Sequence, residues 1–269
     1  MRRLIFLIAF VFALSACSGN KNAQKTDPTP VEPVDSGPSA EELFVKANKQ
    51  LDQRAWDKAI ASYDRAIEKD PALWAAHMNR GIALGRSGDF KKALAAFEQA
   101  LQQGGAEKAE VYYNLGNLYQ ERAMYSAAVD AYRMSLALET NPNIDTLLNL
   151  SAAYVFLRQY DSANQTYEYI RTLAPDDPRP LHGLGLVQQL NDHFQDAVGT
   201  YEQVHALAPQ FALSYFNKAR CLAQMQDWDE AIGSLQDFLR HEPEGPTARR
   251  AKTMIEIYTE RRDKGPTAR

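Results

Sequence analysis

Residues 115–132 read LGNLYQERAMYSAAVDAY, and four positions in this stretch decide the fold. Tyr125 has the small Gly116 nine residues before it, Ala128 three residues after it and Tyr132 four residues further on. The same pattern recurs along the chain. The leading aromatics are Trp56, Phe90, Tyr125, Tyr160, Phe194 and Trp228, at spacings of 34, 35, 35, 34 and 34. The alanines are Ala59, Ala93, Ala128, Ala163, Ala197 and Ala231, and the large residues that follow are Tyr63, Phe97, Tyr132, Tyr167, Tyr201 and Leu235. The small residues upstream are Ala47, Gly81, Gly116, Ser151, Gly185 and Ala219. Self-similarity at such a period is the mark of a repeat architecture.

Each copy holds two apolar stretches at helical spacing. Leu147, Leu150 and Tyr154 fall at i, i+3 and i+7, while Ala163, Tyr167 and Ile170 fall at i, i+4 and i+7. A polar break such as Arg158-Gln159 separates them. Each copy therefore predicts an antiparallel helix pair. Its small residue and its alanine let the two axes approach, and its aromatics fill the wedges. One pair cannot cover its own apolar face, whereas stacked neighbours can, so the expected fold is an all-α superhelical solenoid. The six repeats are expected at 40–73, 74–108, 109–143, 144–177, 178–211 and 212–245. After Gly245-Pro246 a capping helix is expected over 246–263, with Ala251, Met254, Ile255 and Tyr258 on one face, then a disordered tail at 264–269.

The N-terminus has a different character. A basic start, Met1-Arg2-Arg3, precedes an apolar run from Leu4 to Leu14. That run is short against the roughly 20 residues a membrane-spanning helix needs, but it suits the apolar region of a secretory signal. An ordinary signal peptide that happens to hold a cysteine is the plainer reading. However, Leu14-Ser15-Ala16-Cys17 resembles the lipobox of bacterial lipoproteins. That resemblance implies a signal peptide at 1–16, lipid (palmitate among its acyl chains) on Cys17, and an outer-membrane anchor facing the periplasm, since Ser18 replaces the Asp that marks inner-membrane retention. Residues 17–38 carry Pro28, Pro30, Pro33 and Pro38 and no aromatic, so a disordered tether is expected. It would reach about 25 Å as a coil and about 65 Å when stretched. Ser39 with Glu42 three residues on is a capping-box pattern that starts the first helix.

Composition excludes several function classes. With 45% hydrophobic and 24% charged residues the chain is neither a polytopic membrane protein nor a disordered one. A net charge of -4 leaves no electrostatic footprint for nucleic acid. The five histidines, 77, 182, 193, 205 and 241, form no pair at metal-ligand spacing. His182-Gly183-Leu184-Gly185 lies inside a helical pattern without a preceding strand, Gly81–Gly88 lacks the Lys-Ser/Thr ending of a P-loop, and no Gly-x-Ser-x-Gly elbow occurs. Cys221 sits mid-helix and reads as a small packed hydrophobe. No enzyme, cofactor, metal or small-molecule substrate is expected.

The repeat closely resembles the tetratricopeptide repeat. Leu115-Gly116 and Leu184-Gly185 carry its Leu-Gly pair, and Pro71, Pro175, Pro209 and Pro243 its closing proline, which Gly105 and Thr140 replace in the second and third copies. The resemblance implies a concave groove lined by repeat positions 2, 5, 9, 12 and 13. In the first three repeats these are polar and mostly acidic, with Glu41, Asp52, Glu110 and Glu121; in the last three they are largely apolar. The groove candidates are Tyr113, Asn117, Asn149, Phe156, Arg179, His182, Leu186, Phe216 and Arg220. Asn117, Asn149 and Arg179 match parts of the carboxylate clamp of chaperone-binding relatives. Tyr113 and Gly183 stand where that clamp has charged residues, so a weaker polar grip is expected. The function implied is a membrane-anchored scaffold or adaptor of the bacterial cell envelope that binds a protein partner. Lipoproteins with six such repeats resemble the pilotins of type IV pilus secretins; adaptors of cell-wall hydrolases and a purely structural spacer are the other readings.

Overall fold

The structure, a computed structural model, describes residues 37–265. The expected leader, Cys17 and nearly all of the tether lie outside the described residues, as do residues 266–269. Among the described residues there are thirteen α-helices and no strand. Six antiparallel pairs follow one another: α1 (Ala40–Asp52) with α2 (Trp56–Lys69), α3 (Trp74–Ser87) with α4 (Phe90–Gln102), and α5 (Ala109–Glu121) with α6 (Tyr125–Ala137). Then come α7 (Ile144–Phe156) with α8 (Tyr160–Leu173), α9 (Pro178–Leu190) with α10 (Phe194–Leu207), and α11 (Ala212–Gln224) with α12 (Trp228–His241). A final helix, α13, runs over Pro246–Lys264. It therefore takes in Lys264, one residue into the stretch expected to be a disordered tail.

Each leading aromatic is the first residue of the second helix of its pair. Two residues before it the backbone turns into the left-handed region, at Arg54, Gly88, Ala123, Arg158, Asp192 and Gln226. Only the second repeat places glycine there. An L-residue in this conformation costs roughly 1–2 kcal/mol, so five of the six turns are held against local strain by the packing on either side.

That packing follows the sequence pattern. All six repeat alanines are fully buried, and Tyr63, Phe97, Tyr132, Tyr201 and Leu235 have 0–1% of their surface exposed. Within a pair the helices approach most closely at Gly116 among the repeat glycines, where an added Cβ would sit 2.5 Å from the Tyr132 ring. Gly183 does the same job between repeats, with the Tyr167 ring 2.3 Å from where its Cβ would be.

The helix starts are capped locally. Ser39 Oγ accepts from the Glu42 backbone N–H at 3.1 Å and Glu42 Oε2 accepts from that of Ser39 at 2.9 Å, which forms the capping box. Asn143 Oδ1 accepts from the Asp145 and Thr146 backbone N–H groups ahead of α7, and Asp177 from that of Arg179 ahead of α9. In the second repeat, which lacks the closing proline, left-handed Gly104 and a 3-10 turn at Gly105–Glu107 make the link.

Candidate functional site

The first helices of successive repeats lie side by side and form the wall on which the groove candidates sit. At its centre Tyr113 and Asn117 of α5 and Asn149 and Phe156 of α7 come together. With Arg86, Gln120, Glu121 and Tyr125 they line an open concavity of about 420 Å³. Its floor is a polar junction. Asn117 Oδ1 accepts from Asn149 Nδ2 at 3.1 Å and from the Tyr132 hydroxyl at 2.8 Å. Burial pushes the Tyr132 phenol well above the ordinary tyrosine range, so the hydroxyl stays protonated and donates. At the rim the rings of Tyr125 and Phe156 stack face to face, with centroids 4.4 Å apart and planes within 4°. Phe156 nevertheless keeps 60% of its surface exposed. Across from this pair Arg86 and Glu121 form an ion pair between α3 and α5.

Tyr113 also borders a second concavity of about 350 Å³, between the starts of α5 and α7. Glu107, Glu110, Glu139, Lys108, Ala109, Asn143 and Thr146 complete its lining. The Lys108 ammonium sits 5.9 Å from the Trp74 ring centroid, a cation–π contact. Glu139 Oε2 accepts from the Asn143 backbone N–H at 2.7 Å.

The remaining candidates do not join this cluster. The Arg179 guanidinium is held on two sides, by Asp145 of the preceding repeat at 2.7 Å and by Asp177 at 2.7–3.0 Å. These hydrogen bonds, Asp177's foremost, raise its already high pKa further. His182 is packed against Tyr201 and Phe211, with Nε2 3.0 Å from Asn217 Nδ2. Burial lowers its pKa to about 4, so the ring is neutral and Nε2 accepts from the amide. Leu186 is half-buried. Arg220 lines a separate concavity of about 220 Å³ with Gln189, Leu190, Asp192, Phe194 and Gln224.

Phe216 corrects the expectation of an apolar groove wall in the last repeat. Only 4% of it is exposed. Its ring meets Phe238 edge-on at 5.5 Å, and the Arg250 guanidinium lies 5.7 Å from its centroid. The reason is α13, whose Ala248 and Ala251 belong to the same apolar cluster and close that end of the solenoid. Cys17 lies outside the described residues.

Tyr125, Glu107 and Glu139 line the central concavities without having been candidates. The signal for Tyr125 was its register: it opens α6 beside the end of α7, where Phe156 stands. Cys221 is fully buried, and burial pushes its thiol up to about 11, which makes it unreactive. Among the described residues no group of three His, Cys, Asp or Glu side chains could hold a metal ion, and no helix is long and apolar enough to cross a membrane.

Stacked helix pairs with an open, aromatic-rimmed inner wall define a helical-repeat binding protein. The chain is a tetratricopeptide repeat protein: three family profiles described as tetratricopeptide repeat match residues 44–84, 72–141 and 190–256. Among curated proteins it is 23% identical over 210 residues to heat shock protein STI1 of Saccharomyces cerevisiae, covering 76% of this chain and 34% of STI1. The chain thus spans about a third of that relative's length. The solved structure of YrrB, described as a TPR protein with an unusual peptide-binding site, aligns with a TM-score of 0.53 at 22% identity, covering 71% of this chain and 97% of YrrB. PilW, described as a widely conserved type IV pilus biogenesis factor, aligns with a TM-score of 0.66 at 17% identity, covering 78% of this chain and 96% of PilW. At these identities the two structures establish the fold.

Proposed function

We propose that the chain is a membrane-anchored protein–protein interaction scaffold of a bacterial cell envelope, and that it grips a partner peptide or helix on the inner wall of repeats two to four. The observation that carries the groove reading is the concavity around Tyr113, Tyr125 and Phe156. It sets the well-exposed Phe156 ring, backed by half-buried Tyr125, beside hydrogen-bonding amides, the mix of apolar anchor and orienting polar groups that binding pockets use. The description of YrrB as peptide-binding supports the same use of this fold. The anchor rests on the sequence from Met1 to Cys17, and the outer-membrane placement on Ser18. A second reading, assembly of a type IV pilus secretin, is favoured by PilW, which the chain covers almost from end to end.

The test is site-specific photo-crosslinking in native membranes. A photoreactive residue replaces Phe156 in one variant and Arg133, exposed on the outer side of α6, in another. Adducts from position 156 and none from 133 are the expected result, and a pilus secretin among them would select the second reading. Adducts confined to position 133 would move the function to the outer face.

A further inference from the structure

We infer that the groove takes a cationic peptide that also carries an aromatic side chain, rather than an acidic one. This rests on the groove reading above and adds the chemistry of the partner. The cations at and beside these hollows already have contacts within the protein. Arg86 is paired with Glu121. Arg179 is held by Asp145 and Asp177. The Lys108 ammonium rests over Trp74. Arg220, beyond the central concavities, is 3.5 Å from Asn217 Oδ1 and shares its hollow with Asp192.

The anions are in the opposite position. Glu107 and Glu110 are exposed, line the 350 Å³ concavity, and have no ion-pair partner among the described residues. Glu139 beside them meets only a backbone N–H. Carboxylates in the first turn of a helix also balance its dipole, so their charge alone would not identify a ligand. The adjoining concavity supplies the independent observation. Phe156 keeps its surface open although its ring is braced by Tyr125, so the face is preset and costs little to order on binding. Tyr113 borders both hollows, which makes them one continuous track. Between them the Asn117–Asn149 bond uses the Asn117 oxygen and an Asn149 N–H, leaving Asn117 Nδ2 as donor and Asn149 Oδ1 as acceptor. That is one of each, as an extended peptide backbone requires. A Lys or Arg side chain fits among the unpaired carboxylates, and an aromatic side chain or a guanidinium plane fits on Phe156. A peptide carboxylate would meet Glu110 and Glu121 instead, and Lys108, drawn over the Trp74 ring, is the one cation lining these hollows without a carboxylate partner among the described residues.

The experiment is fluorescence anisotropy with the full chain in detergent micelles. One probe is a labelled pool of peptides of about twelve residues, each carrying one Lys or Arg and one Phe or Trp, enough chain to cross a helix wall some 8–10 Å per step. The other is the same pool with Glu in place of the basic residue. The basic pool is expected to bind more tightly. Its affinity should fall about fivefold in E107Q/E110Q and again in Phe156→Ala, and it should fall further as salt is raised. All three positions are exposed, and an unchanged melting temperature verifies that each variant is folded. Equal or tighter binding of the Glu pool overturns the charge assignment and leaves the groove reading standing. Basic-pool binding that ignores all three substitutions overturns the site, and binding of neither pool overturns both readings.

Discussion

Asn149 donates to Asn117 across the seam between the third and fourth repeats, and the accepting oxygen is the one that satisfies the buried Tyr132 hydroxyl. Asn79 and Asn48 repeat the arrangement around Tyr63, at 2.9 Å and 2.6 Å, between the first and second repeats. These amides therefore hold the solenoid together before they can serve a ligand. Gln120 Oε1, 3.1 Å from the Tyr132 hydroxyl, is a fallback acceptor within the third repeat. Asn117→Leu is expected to cost about 1–2 kcal/mol, since it strands the Asn149 amide and weakens the hold on Tyr132. Asn149→Ala should cost less, because Tyr132 keeps Asn117. Urea unfolding midpoints would show this ranking; an Asn117→Leu protein as stable as wild type would remove the staple.

Ala163 and Ala197 are fully buried at the helix crossings of the fourth and fifth repeats. Replacing either by Leu should overpack the crossing and lower stability by about 1–3 kcal/mol. Thermal melts of both variants check this, and two unchanged melting temperatures would contradict the packing described.

Ala123 occupies the left-handed turn position before α6 at φ 56°, with its side chain exposed. Glycine removes the Cβ strain and returns part of the gain as chain entropy. Ala123→Gly should therefore raise stability by about 0.5–1 kcal/mol, seen as a higher urea midpoint. The change in the reverse sense, to Ala, at half-buried Gly199 meets no neighbour within 4 Å and should also stabilise α10, by about 1 kcal/mol of helix propensity.

The seam between the fifth and sixth repeats is acid-sensitive. His205 lies flat on Tyr215 at 3.6 Å, its Nε2 is buried without a partner, and Tyr215 stacks in turn on His241. Burial foremost, then Lys218, lowers the pKa of His205 to about 4, against the opposing pull of Glu202 and Asp237. His182, on the other side of α11, is lowered to about 4 by burial. Both folded-state values lie below the ordinary 6.5, so the unfolded chain binds more protons between them. The stability these rings contribute is fully present above about pH 6.5 and is lost as pH falls towards 4. By pH 5 the loss should be on the order of 2 kcal/mol from His182 and less from the more open His205. Urea midpoints at pH 7 and pH 5 should differ in the wild type and converge in a His182→Gln/His205→Phe variant.

Acylation of Cys17 is the expectation that reaches outside the described residues. Palmitate labelling should mark the wild-type protein and not Cys17→Ser, and only the wild type should sediment with membranes. Equal labelling and equal sedimentation would reduce the N-terminus to an ordinary leader.

The fold was legible because its code is local. A small residue, an aromatic, an alanine and a second large residue at fixed offsets describe two helix faces that must touch, and every buried alanine of the set obeys it. What could not be read is who covers whom at longer range. Phe216 follows the groove register, yet its cover is Arg250 of α13, whose approach depends on how the last repeat is closed. Arg179 is an intermediate case. Asp177 is visible as a helix cap two residues away, and Asp145 lies one period upstream, so pairing by repeat distance would have found it. Phe156 stood out by register, whereas the ring it rests on had been assigned to a wedge.

The seams between repeats have consequences for how the array bends. Seams one–two, three–four and five–six carry half-buried, uncharged side-chain bonds, Asn48–Asn79, Asn117–Asn149 and His182–Asn217. Seams two–three and four–five are bridged instead by the solvent-facing pairs Arg86–Glu121 and Asp145–Arg179. Pairs of that kind weaken as ions screen them, while bonds between uncharged groups do not. Beneath those pairs each joint keeps a buried apolar hinge, Phe97 clustered with Val111 and Leu118 at the first and Tyr167 with Leu184 and Val187 at the second, so added salt loosens the outer edge of the joint and not its core.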